Sequence, residues 1–396
     1  MQPRLAESAP GTEPLNGCSR RISLLDSVRG LSLLGILLLN ISGFGLPSAA
    51  YLNPAYAGPP PLIDGVVWTL LDVFAQGVFL SMFAILFGGA LRLLQSRGRS
   101  WNVQRLFWLG VLGVIHSVLL WDGDILLSYS IAGLAAVILI HGASSGENLM
   151  RTGGLLYLIG LGVLVWLGSL SSAQTNSGWV PSFSELQAEA GWKLVGGMAA
   201  WSVRFDTMLM SQMSMIIQYG WELVGSMLIG SALMRSGWLK GQGEPQAYRR
   251  QGWMLFGASL AIGVPVVGLN WWTGWDYTWG SYYLQAPKDL SASLQGLGYI
   301  ALWYGYGCRI QSSRIAGYLA KVGRMTLSNY LLQTLICTTL FYRLGWYQQL
   351  DRLSLLALVP VIWCVNILFS VVWLRRFNSG PVEWLWRRLS GKPPTG

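Results

Sequence analysis

The sequence is short of charge: Asp, Glu, Lys and Arg together make up 11% of its 396 residues, against about 25% in an ordinary soluble chain. So few charges are tolerated only where much of the surface faces lipid, which excludes a large soluble domain. Histidine is scarcer still, with two copies, His116 and His141. Four cysteines, Cys18, Cys308, Cys337 and Cys364, fall on the N-terminal tail or inside apolar runs, so no disulfide framework is implied. None has a metal-type partner spacing, and two histidines cannot complete a usual zinc site with them, so no metal is expected. The sequence also lacks a G-x-x-x-x-G-K-[ST] loop and a G-x-S-x-G elbow, which argues against ATP-driven transport and serine hydrolysis.

What is present is apolar: 53% hydrophobic residues, 21 Trp and 49 Gly, with a mean hydropathy of +0.45. Runs long enough to span a bilayer, about 17 to 25 residues, recur ten times. They cover about 25–44, 64–94, 103–121, 124–141, 152–170, 206–234, 250–270, 291–309, 325–343 and 352–373. The second and sixth exceed a bilayer's need and predict tilt or extension beyond it. Placing both termini inside puts 21 of the 27 Lys and Arg on the cytoplasmic side, five outside and Arg29 within the first span, as the positive-inside rule requires. The net charge of +10 therefore reads as topology and attraction to anionic inner-leaflet lipid, and no nucleic-acid partner is expected. Arg20 and Arg21 before an apolar run, with Ala55-Tyr56-Ala57 beyond it, imitate a signal peptide. Asp26 and Arg29 interrupt the start of that run, and its length predicts a first transmembrane helix.

The expected architecture is an all-α polytopic membrane bundle of about ten transmembrane helices, forming one integrated domain over 20–376. Residues 1–19 are expected as a disordered cytoplasmic tail. The segment 171–205 mixes Phe183, Leu186, Trp192, Leu194 and Val195 with Glu185, Gln187, Glu189 and Lys193, the pattern of an external interfacial helix. Residues 377–396 predict a cytoplasmic interfacial helix and tail, its Trp384, Leu385 and Leu389 alternating with Glu383, Arg387 and Arg388.

Polar residues inside the spans are the candidate sites, because an ionisable group in lipid needs a partner or water. His116 lies in the third run, followed by Trp121-Asp122-Gly123-Asp124. Along a helix it is roughly 9 Å from Asp122, too far for direct contact, but a turn at Gly123 would fold Asp124 back to orient His116 as a general base. The alternative is a core histidine satisfied by a neighbouring helix. Asp26 and Arg29 are three apart on one helix and form an expected ion pair. Arg29 either snorkels to the inner interface or grips an anionic cofactor or substrate. Asn40 lies three turns further out, a packing residue or a site residue. Asp72 and Gln76, at i and i+4, and Glu222, beside Tyr219 and Trp221, need partners. Asn329, Gln333 and Asn366 read as hydrogen-bonding glue between helices, with Asn329 also a candidate for binding. His141, at an inner loop, reads as solvated.

Several segments together carry a resemblance: Leu25-Asp26-Ser27-Val28-Arg29-Gly30 with Asn40-Ile41, Phe83-Ala84-Ile85-Leu86-Phe87-Gly88, His116 with residues 121–126, residues 323–333 and residues 380–387. On these the chain resembles the YeiB family of bacterial inner-membrane proteins. That family is distantly similar to membrane acyltransferases, among them the heparan-glucosaminide acetyltransferase and enzymes that O-acylate bacterial surface sugars. The link rests on Asp26-x-x-Arg29-Gly30. In the O-acylating enzymes a catalytic histidine follows the arginine by eleven positions, where this chain has Asn40, so the base would come from His116 on another helix.

The resemblance implies acyl transfer, with acyl-CoA as a co-substrate, no tightly bound cofactor, and a hydroxyl or amine acceptor, such as a glycan or small molecule, at the outer face. His116, Asp124 and Asp122 are the expected catalytic residues. Asp26, Arg29, Asn40, Asp72, Gln76, Glu222 and Asn329 are the expected binding residues. The rival is a transporter in which Asp72, His116 and Glu222 form a proton relay or substrate site, which matched broken helices would support. A third reading is a structural or sensory protein whose buried polar groups fix packing. A cavity open to both faces and centred on His116 would favour acyl transfer.

Overall fold

The computed structural model describes residues 15–171, 176, 178–311 and 313–391, and every regular element among them is a helix. The first half contains α1 (Leu15–Gly45), α2 (Leu62–Phe74), α3 (Val78–Leu93), α4 (Arg99–Leu119), α5 (Leu126–Gly142), α6 (Gly146–Leu170), α7 (Phe183–Val195) and α8 (Gly197–Ser214). The second half contains α9 (Gly220–Arg235), α10 (Pro245–Trp272), α11 (Gln285–Gly305), α12 (Gly307–Gln311), α13 (Arg314–Arg324), α14 (Thr326–Thr338), α15 (Arg352–Trp373) and α16 (Pro381–Leu389).

Six stretches are long and apolar enough to cross a membrane: Leu24–Gly45, Leu62–Leu93, Arg99–Leu119, Gly146–Leu170, Pro245–Trp272 and Arg352–Trp373. These helices make the chain a membrane protein. The other four expected runs are helical but interrupted or short. The fourth is α5, an apolar helix of 17 residues. The sixth is α8 and α9 joined through a π-turn at Met215–Tyr219, and the ninth is α14 running into another at Thr339–Arg343. The eighth, α11, opens on Gln285, Lys288 and Asp289, which lower its hydropathy.

The long second run is broken, so its excess length becomes two half-helices rather than one tilted rod. Between α2 and α3 the chain turns at Ala75–Gly77, where Gly77 has φ +74°, a left-handed value that glycine adopts without Cβ strain.

Helix α1 is the centre of the bundle. Of its most apolar window 78% lies inside the protein, against 28% for α6, α10 and α15. Those three turn residues such as Leu155, Trp166, Val264, Val361 and Leu368 outward, as lipid-facing helices do. Around α1 the core interleaves Val28, Ile36, Met82, Ile85, Leu86 and Ile300. Its crossing with α13 is tight enough to require glycine. A Cβ on Gly30 would meet the Leu319 carbonyl oxygen at 2.0 Å, and one on Gly323 would meet that of Asp26 at 1.8 Å. Small residues that let backbones touch are how helices associate in lipid. The Arg-Gly pair of the first span therefore has a packing reason for its glycine.

Residues 1–14 of the expected N-terminal tail lie outside the described residues, and residues 15–19 already belong to α1. The expected external segment contains two helices, α7 and the start of α8, separated by Gly196 and Gly197 at φ +71° and +69°. The expected C-terminal helix is α16, with Pro381 at its first turn. Residues 392–396 lie outside the described residues.

Candidate functional site

Helix α1 carries Asp26 and Arg29 on one face, with Arg29 Nη1 3.1 Å from Asp26 Oδ1. They form part of the rim of a cavity of about 580 Å³ whose other charged walls are Arg105, Arg324, Glu383 and Arg387. Further along the same helices the lining turns apolar, through Leu33, Ile36, Phe83, Phe87 and Leu109, and reaches Tyr129, Ile125 and Tyr330. Four cations and two acids at one end and hydrocarbon at the other make an amphipathic chamber. Its size is within the range of about 300–1,000 Å³ usual for small-molecule sites.

Helix α16 closes one side of the chamber. The Glu383 carboxylate accepts from the backbone N–H groups of Leu327 (2.7 Å) and Ser328 (3.0 Å), and from the Ser328 hydroxyl. An acid there satisfies orphan donors at the N-terminus of α14 and complements its dipole. The Trp386 indole donates to the Arg105 carbonyl oxygen (2.7 Å), and the Arg105 guanidinium lies 4.0 Å over the Trp386 ring.

The His116 site begins where this chamber ends. Helix α4 stops at Leu119, and the turn through Gly123 folds Asp124 back, so that Asp124 Oδ1 is 2.7 Å from His116 Nδ1. Asp124 Oδ2 meanwhile accepts from the Leu127 N–H at the start of α5 (3.0 Å). The second ring nitrogen, Nε2, is 3.0 Å from Thr334 Oγ1 on α14. One turn earlier on α14, Tyr330 lies with its ring centroid 5.2 Å from that of His116. The imidazole is 1% exposed. A carboxylate only accepts, so this network places a proton on Nδ1 toward Asp124, while Nε2 faces the Thr334 hydroxyl, which also lies 3.3 Å from the Tyr330 carbonyl oxygen. The turn anticipated at Gly123 thus exists, while Thr334 and Tyr330 were not singled out from sequence. A threonine and a tyrosine in an apolar run carry no signal until the register of α14 against α4 is known.

The remaining expected site residues are dispersed. Asp122 lies 3.9 Å from Lys193. Asp72 pairs with Lys288 of α11, beside buried Gln76 and the turn that separates α2 from α3. Glu222 accepts from Gln218 (2.5 Å), within a turn of the π-turn. Asn40 is buried on α1, outside the chamber lining. Asn329 donates to Ser370 Oγ (2.8 Å) and accepts from Asn366 Nδ2 (3.0 Å), tying α14 to α15. Gln333 donates to Asn366 Oδ1 (3.3 Å). His141 keeps its Nδ1 on the Val137 carbonyl of its own helix (2.9 Å). Lys288 was missed, although a lone cation near an apolar run could have been matched to the lone acid Asp72.

Comparison with known proteins agrees along nearly the whole length. The DUF418 family, described as a protein of unknown function, matches residues 233–392. The chain is similar to the uncharacterized protein YeiB of Escherichia coli (strain K12), 52% identical over 366 residues that cover 92% of this chain and 95% of that one. It is also similar to the uncharacterized protein YxaH of Bacillus subtilis (strain 168), 27% identical over 401 residues covering 93% and 94%. An uncharacterized 39.9 kDa protein from the amylase 3' region of Bacillus acidopullulyticus is 22% identical over 377 residues, again covering 93% and 94%.

Proposed function

This chain belongs to the YeiB family, and on that premise we propose that it is an integral membrane acyltransferase that uses an acyl-CoA donor and a hydroxyl or amine acceptor. The observation that carries the reading is the amphipathic chamber whose apolar end is walled by Tyr330, the residue packed on the His116–Asp124 pair. We take all ten apolar runs as spans of a bacterial inner membrane, with both termini and the arginine-rich rim on the cytoplasmic side. Donor phosphates then meet Arg29, Arg105, Arg324 and Arg387, which suit them as planar, permanently charged donors. The acyl chain lies along Leu33, Ile36, Phe83 and Phe87.

In this reading Thr334 Oγ1 stands where an acceptor hydroxyl would bind His116 Nε2. Nε2 takes the acceptor proton as the acceptor oxygen bonds to the thioester carbonyl carbon. The carbon–sulfur bond then breaks, and the imidazolium returns the proton to the leaving thiolate. Asp124 holds the Nδ1–H tautomer throughout and stabilises the imidazolium. Tyr330 stands between the chamber and His116, so donor entry requires its ring to turn aside. The chamber does not include His116 itself.

Equilibrium binding tests the donor half of the reading. Long-chain acyl-CoA should bind the purified protein more tightly than either free CoA or the free fatty acid. Arg29→Gln with Arg324→Gln should weaken it at least about tenfold, from two lost charge-assisted contacts. Equal binding of all three ligands, or no effect of the double substitution, would contradict it.

One observation favours transport as a second reading. The pair Asp72–Lys288 lies beside the break between α2 and α3, and unwound helices carry the sites of many transporters. Uptake into vesicles that survives Asp72→Asn would remove that support.

A further inference from the structure

A second buried polar cluster lies at the end of the bundle opposite the arginine-rich rim, where α1 and α4 finish. Lys193 of α7 has a fully buried side chain, with Nζ 2.8 Å from Glu189 Oε1 and 3.9 Å from Asp122 Oδ2. Glu189 is in turn held by the Ser48 N–H (2.9 Å) and hydroxyl (2.6 Å). The Lys193 ammonium lies 5.0 Å from the Tyr347 ring centroid and 6.0 Å from that of Tyr342. Arg204 of α8, 6% exposed, donates from Nη1 to the Leu119 carbonyl at the end of α4 (3.3 Å) and is 5.9 Å from the Tyr342 ring.

Five polar atoms in this cluster have no hydrogen-bonding partner among the described residues: Asp122 Oδ1, Arg204 Nε, the Tyr342 and Tyr347 hydroxyls, and Lys193 Nζ, whose closest neighbour is its ion-pair partner Glu189. Buried polar atoms are nearly always paired, and an orphan needs a reason. Four orphans gathered around the Lys193 ammonium, from the α4–α5 turn, α8 and the segment that follows α14, share one. Three of them, Arg204 Nε and the two tyrosine hydroxyls, can donate together with the remaining hydrogens of Lys193, and Asp122 Oδ1 only accepts. The complement is a molecule that offers a carboxylate to Arg204, Lys193 and Tyr342 and a hydroxyl to Asp122.

We propose that Asp122, Lys193, Arg204 and Tyr342 form a binding site for a small hydroxylated carboxylate, of the acidic-sugar class, at the face opposite the donor chamber. For the fate of that ligand the inference rests on the acyl-transfer reading, since Asp122 is two residues before Asp124, the partner of His116. For its binding the inference stands alone. Lys193 is paired with Glu189, Arg204 keeps an Nε–H without a partner, and Asp122 selects a hydroxyl donor over a bare anion. Arg343, exposed, with a guanidinium 3.4 Å from where a Cβ on Gly196 would stand, adds positive potential at the rim.

The test is thermal unfolding of the full chain in detergent, followed by its own tryptophan fluorescence, with D-glucuronate, D-glucose or acetate as the probe. Glucuronate should give a saturable rise of about 3 °C, and glucose or acetate at the same concentration clearly less. Tyr342→Phe removes only a hydroxyl that has no partner, so the unliganded protein should unfold no earlier, yet its glucuronate affinity should fall at least about tenfold. Arg204→Gln should lose the shift. Absence of a saturable shift in the wild type, an equal shift with glucose, or a shift that survives both substitutions would each overturn the proposal. Acyl-CoA hydrolysis, with water as the sole acyl acceptor, reads the donor site separately. Cleavage without glucuronate binding sinks this inference alone, and binding without cleavage sinks the acyl-transfer reading alone.

Discussion

His116 has different demands on its two nitrogens: Asp124 fixes one, and a threonine hydroxyl that a substrate could displace holds the other. Asp124→Asn preserves shape but removes the charge that favours the imidazolium, so transfer should fall by about 10²- to 10⁴-fold while acyl-CoA affinity holds. A KM rise with unchanged kcat would contradict that role. Asp72 and Lys288 make a different case, because neither touches the chamber. Removing one partner strands a buried charge, whereas removing both does not. Asp72→Asn should cost about 3–5 kcal/mol of stability, and Asp72→Asn with Lys288→Met should recover most of it, read as unfolding midpoints in detergent. Gly30→Ala forces a methyl against the Leu319 carbonyl and should cost about 1–3 kcal/mol by overpacking. At this scale the sequence announced the acids and the histidine, because charge in an apolar run stands out. It was silent on Thr334, Tyr330 and Tyr342, whose types are ordinary in such runs.

The elements that position these residues divide by how they are fastened. Helix α16 is held to the bundle by Glu383 in the N-terminus of α14 and by Trp386 against Arg105, and Glu383→Gln should loosen it by about 1–3 kcal/mol as charge-assisted bonds weaken. Earlier protease cleavage after Arg387 would report the loss. Helix α7 is fastened by Glu189 and Lys193, both outside the candidate spans, and this makes its docking sensitive to pH. Burial pushes the Glu189 carboxyl up, but Lys193 and Ser48 outweigh it and hold it below its ordinary 4.5. Burial pulls the Lys193 ammonium down, but Asp122, the two tyrosines and Glu189 outweigh that and hold it well above 10.5. The carboxylate's contribution is present above its ordinary value and is lost as pH falls through the depressed one. The ammonium's contribution is present below 10.5 and is lost as pH rises through the raised one. The unfolding midpoint should therefore drop as pH falls below about 4.5, and Glu189→Gln should flatten that drop. An unchanged acid limb in Glu189→Gln would refute it. The amphipathic pattern placed a helix within 377–396, where α16 lies, and marked 171–205 as interfacial, but did not reveal the glycines at positive φ that divide it into α7 and α8. The break at Gly77 was also hidden, because an unbroken apolar run looks alike whether the helix continues or turns.

Across the whole molecule, charge separates two ends about 30 Å apart along α4, at 1.5 Å per residue. The cations that fall at the end opposite the arginine-rich rim are mostly engaged: Lys193 with Glu189, Arg204 with the Leu119 carbonyl, Lys288 with Asp72 and Arg352 with the Ala50 carbonyl (2.6 Å). In the proposed orientation these four cations are exceptions to the positive-inside bias, and each is held by a partner within the fold. That bias, and the sum of apolar length, were readable from composition. Which polar residues share a site was not, since it depends on helix packing that periodicity leaves open.

The central claim is that His116 performs chemistry on a donor held in the basic chamber. The direct measurement is release of free thiol from acyl-CoA by purified wild type and His116→Ala, with acyl-CoA binding measured on the same preparations. The wild type should release thiol with water as the acyl acceptor, the variant at least about 10²-fold less, and acyl-CoA affinity should agree within about twofold. Equal release by the two proteins, or none by a folded wild type that binds acyl-CoA, would contradict it.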